Sequence, residues 1–68
     1  MKLSARNQLK GKIVDIKEGP VSTEVTVAIG EIKFVSSITS GSAKQMQLAL
    51  GDEAYVVIKA SSVMIAKD

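Results

Sequence analysis

Val21-Ser22-Thr23-Glu24-Val25-Thr26-Val27-Ala28-Ile29 alternates strictly, with Val21, Val25, Val27 and Ile29 on one side and Ser22, Glu24 and Thr26 on the other. A period of two belongs to a strand with one buried and one wet face, and β-branched residues suit that pleated surface. Gly30-Glu31 follows as a tight turn, and Ile32-Lys33-Phe34-Val35-Ser36-Ser37-Ile38 resumes the extended pattern. The two runs therefore predict a β-hairpin. Upstream, residues 9–17 read as a first long strand around Ile13, ended by the turn signal Glu18-Gly19-Pro20.

Downstream, Thr39-Ser40-Gly41-Ser42-Ala43-Lys44-Gln45-Met46-Gln47-Leu48 is the segment whose residues favour a helix. Hydroxyls and a glycine precede it, and Ser40 or Ser42 is the expected N-cap. Leu50-Gly51-Asp52-Glu53 turns the chain again, after which residues 54–62 and 63–66 read as two more strands. Five strands with one short helix between the third and fourth is the order of a small OB-like barrel, an all-β fold in a single domain spanning residues 1–68. Fold class alone does not specify a ligand.

Composition narrows the function. A chain of 68 residues buries too small a fraction of its surface to be comfortably stable alone, and no cysteine is present to staple it. Yet 46% of the residues are apolar, an excess that points to subunit contacts. There is no histidine, which removes the usual metal ligand and the usual acid/base group near neutral pH. The net charge of +2 is spread without blocks, and Phe34 and Tyr55 are the only aromatics. A single-strand nucleic-acid binder would show a basic face and a ladder of stacking rings, so no nucleic acid is expected. The polar residues after Met1-Lys2-Leu3-Ser4 do not form a signal peptide, and no run approaches membrane-spanning length. A cytoplasmic protein with no membrane partner is expected.

Three short stretches carry the chemistry. Ser4-Ala5-Arg6-Asn7-Gln8 groups a hydroxyl, the only arginine and two amides. The guanidinium fork suits a tetrahedral oxyanion, and Ser4 lies two residues away on the same strand face. At the helix start, the hydroxyls of Thr39 and Ser42 stand beside backbone N–H groups that have no intrahelical acceptor, an arrangement that also serves anions. Lys59 ends a β-branched run and is followed by Ala60, Ser61 and Ser62, so its ammonium could be aimed at a ligand. A dianion removed from water needs opposite charge and enough hydrogen bonds, and Arg6 and Lys59 supply two charges. They stand near opposite ends of the chain, so one monomer need not hold both, and binding across an interface is a natural solution.

Ser4-Ala5-Arg6-Asn7-Gln8-Leu9-Lys10-Gly11, Ser37-Ile38-Thr39-Ser40-Gly41-Ser42-Ala43 and Ile58-Lys59-Ala60-Ser61-Ser62-Val63-Met64 closely resemble the molbindins. These are small Mop-type molybdate-binding proteins built from a single TOBE domain. The resemblance implies an intracellular store for molybdate, with tungstate as a further oxyanion. It also implies a hexamer of OB-like subunits that exchange strands and bind the anion between subunits. It implies no catalysis and no cofactor beyond the anion itself. The family's oxyanion contacts fall on Ser4 and Arg6, on Thr39 and Ser42, and on Lys59, Ala60 and Ser61. A second type of site near a threefold axis has Asn7 as a candidate.

None of the three motifs contains Asp or Glu. A protonated anion such as hydrogen phosphate would need an acceptor for its proton, so a fully deprotonated dianion is favoured, although hydroxyls can also accept. The alternative reading is a stand-alone OB-like module that binds nucleic acid or a protein partner, with a steep salt dependence as the nucleic-acid signature. Asp15, Glu18, Glu24, Asp52 and Glu53 could in principle do acid/base work, but none falls in the anion motifs, so an enzyme is not expected. A pterin would want stacking surface that two aromatics scarcely offer.

Overall fold

The computed structural model describes Met1–Asp68. Its elements are β1 (Asn7–Glu18), β2 (Ser22–Ile29), β3 (Ile32–Thr39), α1 (Ser40–Gln45) and β4 (Glu53–Ile58), followed by one 3-10 turn at Ala60–Ser62. The strands form a curled antiparallel sheet in the order β3-β2-β1-β4. The expected hairpin is present, with pairs running from Ile29 opposite Ile32 to Ser22 opposite Thr39. At its tip Gly30 has φ +61 while Glu31 keeps a negative φ, the pattern of a II′ turn that only glycine enters without cost. Val25 and Val27 are buried as the alternation requires, together with Thr23. Val21 precedes the strand and is 77% exposed, so it does not join that face.

β1 changes partners along its length, and this shapes the sheet. Residues from Asn7 to Lys12 pair with β4, and residues from Lys12 to Glu18 pair with β2, with a bulge between Ile13 and Asp15. A bulge shifts side-chain direction by one and increases local twist. Ile13 and Ile16 consequently both face the interior, while Val14 between them is exposed. Gly11, two residues before the bulge begins at Ile13, lies against the carbonyl oxygen of Ala28 and the side chains of Val27 and Ile29.

The helix lies where the sequence places it but is capped differently. Thr39, in extended conformation, is the N-cap, and its Oγ1 accepts from the Ser42 N–H at 3.1 Å. Neither expected cap, Ser40 or Ser42, takes that place: Ser42 supplies the capped N–H, and Ser40 is buried. Its hydroxyl donates to the Gly19 carbonyl, so the 2.8 Å contact with Thr23 must have Thr23 Oγ1 as donor. Ser40 N–H also donates to Val21 O at 2.9 Å, which ties α1 to the loop between β1 and β2. Ser40→Ala leaves Thr23 and Gly19 without their buried partner and is expected to cost about 1–3 kcal/mol. The check is a lowered urea midpoint with unchanged slope at fixed protein concentration. Thr23→Val, which leaves the Ser40 bond to Gly19 intact, should cost less.

The helix ends in a Schellman arrangement, with Gln47 N–H donating to Lys44 O at 3.0 Å and Leu48 N–H to Ala43 O at 3.3 Å. Gln47 occupies the left-handed position usually given to glycine, at φ +54. Gln47→Gly is therefore expected to raise stability by about 0.5–1 kcal/mol, the left-handed strain relieved outweighing the added freedom of the unfolded chain. An unchanged or lowered urea midpoint would contradict this.

The fifth expected strand does not form. β4 ends at Ile58, Ala60–Ser62 make the 3-10 turn, and residues 63–66 join no ladder. A strand needs a neighbour for its backbone groups, and the Ser61-Ser62 turn carries the chain off the sheet. Met64 and Ile65 are about nine-tenths exposed. The fully buried apolar core is only Ile13, Val25 and Val27. Between the unpaired edges of β3 and β4 lies an open apolar groove of about 380 Å³, lined by residues including Phe34, Ile38, Leu48, Val56 and Ile58. No helix is long and apolar enough to cross a membrane.

Candidate functional site

The first and third sequence motifs meet at one end of the sheet. Asn7 opposite Ile58 is the last pair of the β1/β4 ladder, so Arg6 and Lys59 are the next residue on each strand. The side-chain amide of Asn7 donates to Ile58 O at 3.2 Å and fastens that last pair. Two residues that the sequence separates by most of its length thus lie just beyond the same strand pair in a single chain. The sequence leaves open whether one monomer holds both; antiparallel pairing of the first and last strands places their positions at the same end of the sheet.

Ser4 and Arg6 occupy an exposed bend just ahead of β1. The bend is closed by Gln8, whose Nε2 donates to Ala5 O at 2.9 Å. On the other strand, Lys59 caps the 3-10 turn, and Ser62 N–H donates to its carbonyl at 2.9 Å. The N–H groups of Ala60 and Ser61 open that turn, where donors lack acceptors within the helix. Neither Arg6 nor Lys59 takes part in an ion pair. The ion pair present is Lys10–Glu53 at 3.0 Å, whose hydrogen bond and then Coulomb attraction raise the Lys10 pKa, and both partners are well exposed. No carboxylate therefore competes with a ligand for Arg6 or Lys59.

Thr39 and Ser42 lie elsewhere. Thr39 pairs with Ser22 at the far end of the hairpin, next to the Glu18 end of β1. Its Oγ1 donates to Ser42 Oγ at 2.7 Å, and both residues are exposed. The whole of β1, twelve residues at about 3.3 Å each, stands between this hydroxyl pair and Arg6. One tetrahedral anion cannot touch both clusters of the same chain. Ser4, Arg6, Lys59, Ala60 and Ser61 form one group, and Thr39 and Ser42 form another. No group of three or more His, Cys, Asp or Glu side chains could hold a metal cation.

Sequence reasoning grouped Asn7 and Gln8 with the arginine but did not foresee what their amides bind. Asn7 reaches across to β4, and Gln8 folds back onto the bend. The signal was the pair of amides immediately after the arginine.

Residues 3–65 match the TOBE domain. The chain belongs to the TOBE domain family. It is 52% identical over 66 residues to a probable molybdenum-pterin-binding protein of Haemophilus influenzae, an alignment covering 96% of each chain. The structure of a molybdate-binding protein from Sporomusa ovata superposes with a TM-score of 0.94 at 28% identity, covering 98% of this TOBE chain and 100% of that one. A structure of the cytoplasmic molybdate-binding protein ModG with molybdate bound gives a TM-score of 0.84 at 44% identity, covering 88% of this chain and 43% of ModG. These neighbours have the OB-like molbindin fold expected from the order of elements, here with four paired strands within one chain.

Proposed function

We propose that this TOBE domain is a cytoplasmic molybdate-binding protein for storage and homeostasis, that it also takes tungstate, and that it has no catalytic role. One observation carries the reading. Arg6 and Lys59 stand at adjacent strand ends with no carboxylate paired to either. Such a pair attracts a dianion, and the surrounding Ser4, Ser61 and turn amides of Ala60 and Ser61 offer donors for its oxygens. The absence of Asp and Glu from the motifs favours an anion with no proton to donate over hydrogen phosphate. The related proteins named for molybdate or molybdenum-pterin binding support the same ligand.

The site is shared between subunits. Arg6 and Lys59 come from one chain and the Thr39 and Ser42 hydroxyls from a second, because β1 holds these groups apart within one chain. A hexamer with exchanged strands fits the small core, the open groove between β3 and β4, and the exposed apolar residues Val63, Met64 and Ile65. Anion binding then stabilises the assembly by mass action. Nothing in the fold or the relatives favours the nucleic-acid alternative. Isothermal titration of anion-free protein with molybdate in chloride buffer, repeated in excess sulfate, tests the reading. Saturable heat that survives sulfate supports it, and absence of heat from folded protein contradicts it.

A further inference from the structure

We infer that Gln8 is a positioning residue that holds the Ser4–Arg6 bend in its anion-receiving shape, an inference that rests on the oxyanion reading above. The β1 ladder begins at Asn7, so the Arg6 backbone lies outside the sheet's hydrogen bonding. A residue without ladder hydrogen bonds has more backbone freedom to lose when it is fixed on binding. The Gln8 side chain removes much of this freedom in advance. Its Nε2 donates to Ala5 O at 2.9 Å, closing a short ring of chain that contains Arg6. The base of that ring is anchored, because Gln8 itself pairs with Val57 and the Asn7 amide is bonded to Ile58 O. Arg6 thus belongs to a segment fixed at both ends, one residue beyond the Asn7–Ile58 pair that Lys59 follows. Gln8 is exposed and makes no core contact, so its role lies in preorganising the bend.

Gln8→Met keeps the length of the side chain and removes the donor. In the anion-free protein, nitrogen-15 relaxation should show a lowered order parameter at the Arg6 amide, with the thermal midpoint unchanged. This arm needs no bound anion, so an unaltered order parameter overturns the brace whether or not molybdate binds. Titration with molybdate should show affinity about three- to tenfold weaker in Gln8→Met, the size of one hydrogen bond. In an Arg6→Lys background, whose flexible ammonium gains less from a fixed bend, the same change should cost less than about twofold. An equal loss in both backgrounds, or a lowered thermal midpoint in Gln8→Met, would show that the amide serves the fold or meets the anion directly, and would overturn positioning.

Discussion

Arg6→Ala is expected to weaken molybdate binding by about 30-fold or more, and Lys59→Ala by a similar factor, because losing one partner of a desolvated, hydrogen-bonded charge pair costs about 2–5 kcal/mol. The two side chains contribute differently. The arginine presents a planar fork that can bond two oxygens at once, whereas the lysine acts as a point charge on a flexible stem. Arg6→Lys should therefore recover part of the loss, and Lys59→Arg should not simply match the native residue. Both positions are exposed and outside the apolar core, so folding should be preserved in each variant. Isothermal titration with molybdate, alongside circular dichroism to confirm folding, reads the effect. Native affinity in both alanine variants would place the anion elsewhere.

The second large effect is on stability. Gly11→Ala is expected to cost about 1–3 kcal/mol or more, the range of overpacking in a tight interior. A methyl group there would meet the Ala28 carbonyl oxygen and would stand 2.7 Å from Ile29 Cγ1 and 2.9 Å from Val27 Cγ1. The side-chain carbons could rotate away, but the carbonyl belongs to the β1/β2 ladder and can retreat only if the strands part. Gly11 sits one residue before the Lys12–Ala28 pair that starts that ladder, and it pairs with Ala54 on the other side. Displacement would thus disturb both partners of β1. With three fully buried apolar residues in the core, the chain has little reserve against such a loss. A urea titration at fixed protein concentration should show a much lower midpoint; an unchanged midpoint would mean the strands yield freely at this point.

Much of this architecture is legible in the residues, for identifiable reasons. The β2/β3 hairpin follows from alternation around Val25 and Val27 and from a glycine able to adopt φ +61 at the turn. The position of α1 follows from the hydroxyl cluster before it. The choice among those hydroxyls does not, since Thr39, Ser40 and Ser42 are all competent caps. The decision came from tertiary contacts, where the Gly19 carbonyl and Thr23 took Ser40 into the interior. The apolar run at Val63-Met64-Ile65-Ala66 looks like a strand locally, but a strand exists only when its backbone has a partner, and this run pairs with neither open edge of the sheet, β3 or β4.

The candidate site shows the same division. Its residue types were visible as motifs, and the absence of carboxylates from those motifs could be read directly. Their grouping was not visible, because the placement of Arg6 and Lys59 just beyond the same strand pair depends on the long-range register of β1 against β4. The sequence leaves open whether one chain holds both charges at one spot, and the register puts their positions next to each other beyond one strand pair. Thr39 and Ser42 are held at the far end of β1, which is why the proposed site draws them from another subunit.

The most direct test is an anomalous difference map, recorded at the molybdenum absorption edge, from crystals of the molybdate-loaded protein. A peak is expected within hydrogen-bonding distance of Arg6 and Lys59 of one chain and of Thr39 and Ser42 of a neighbouring chain. A peak contacted by a single chain, or one remote from Arg6 and Lys59, would contradict a site shared in this way.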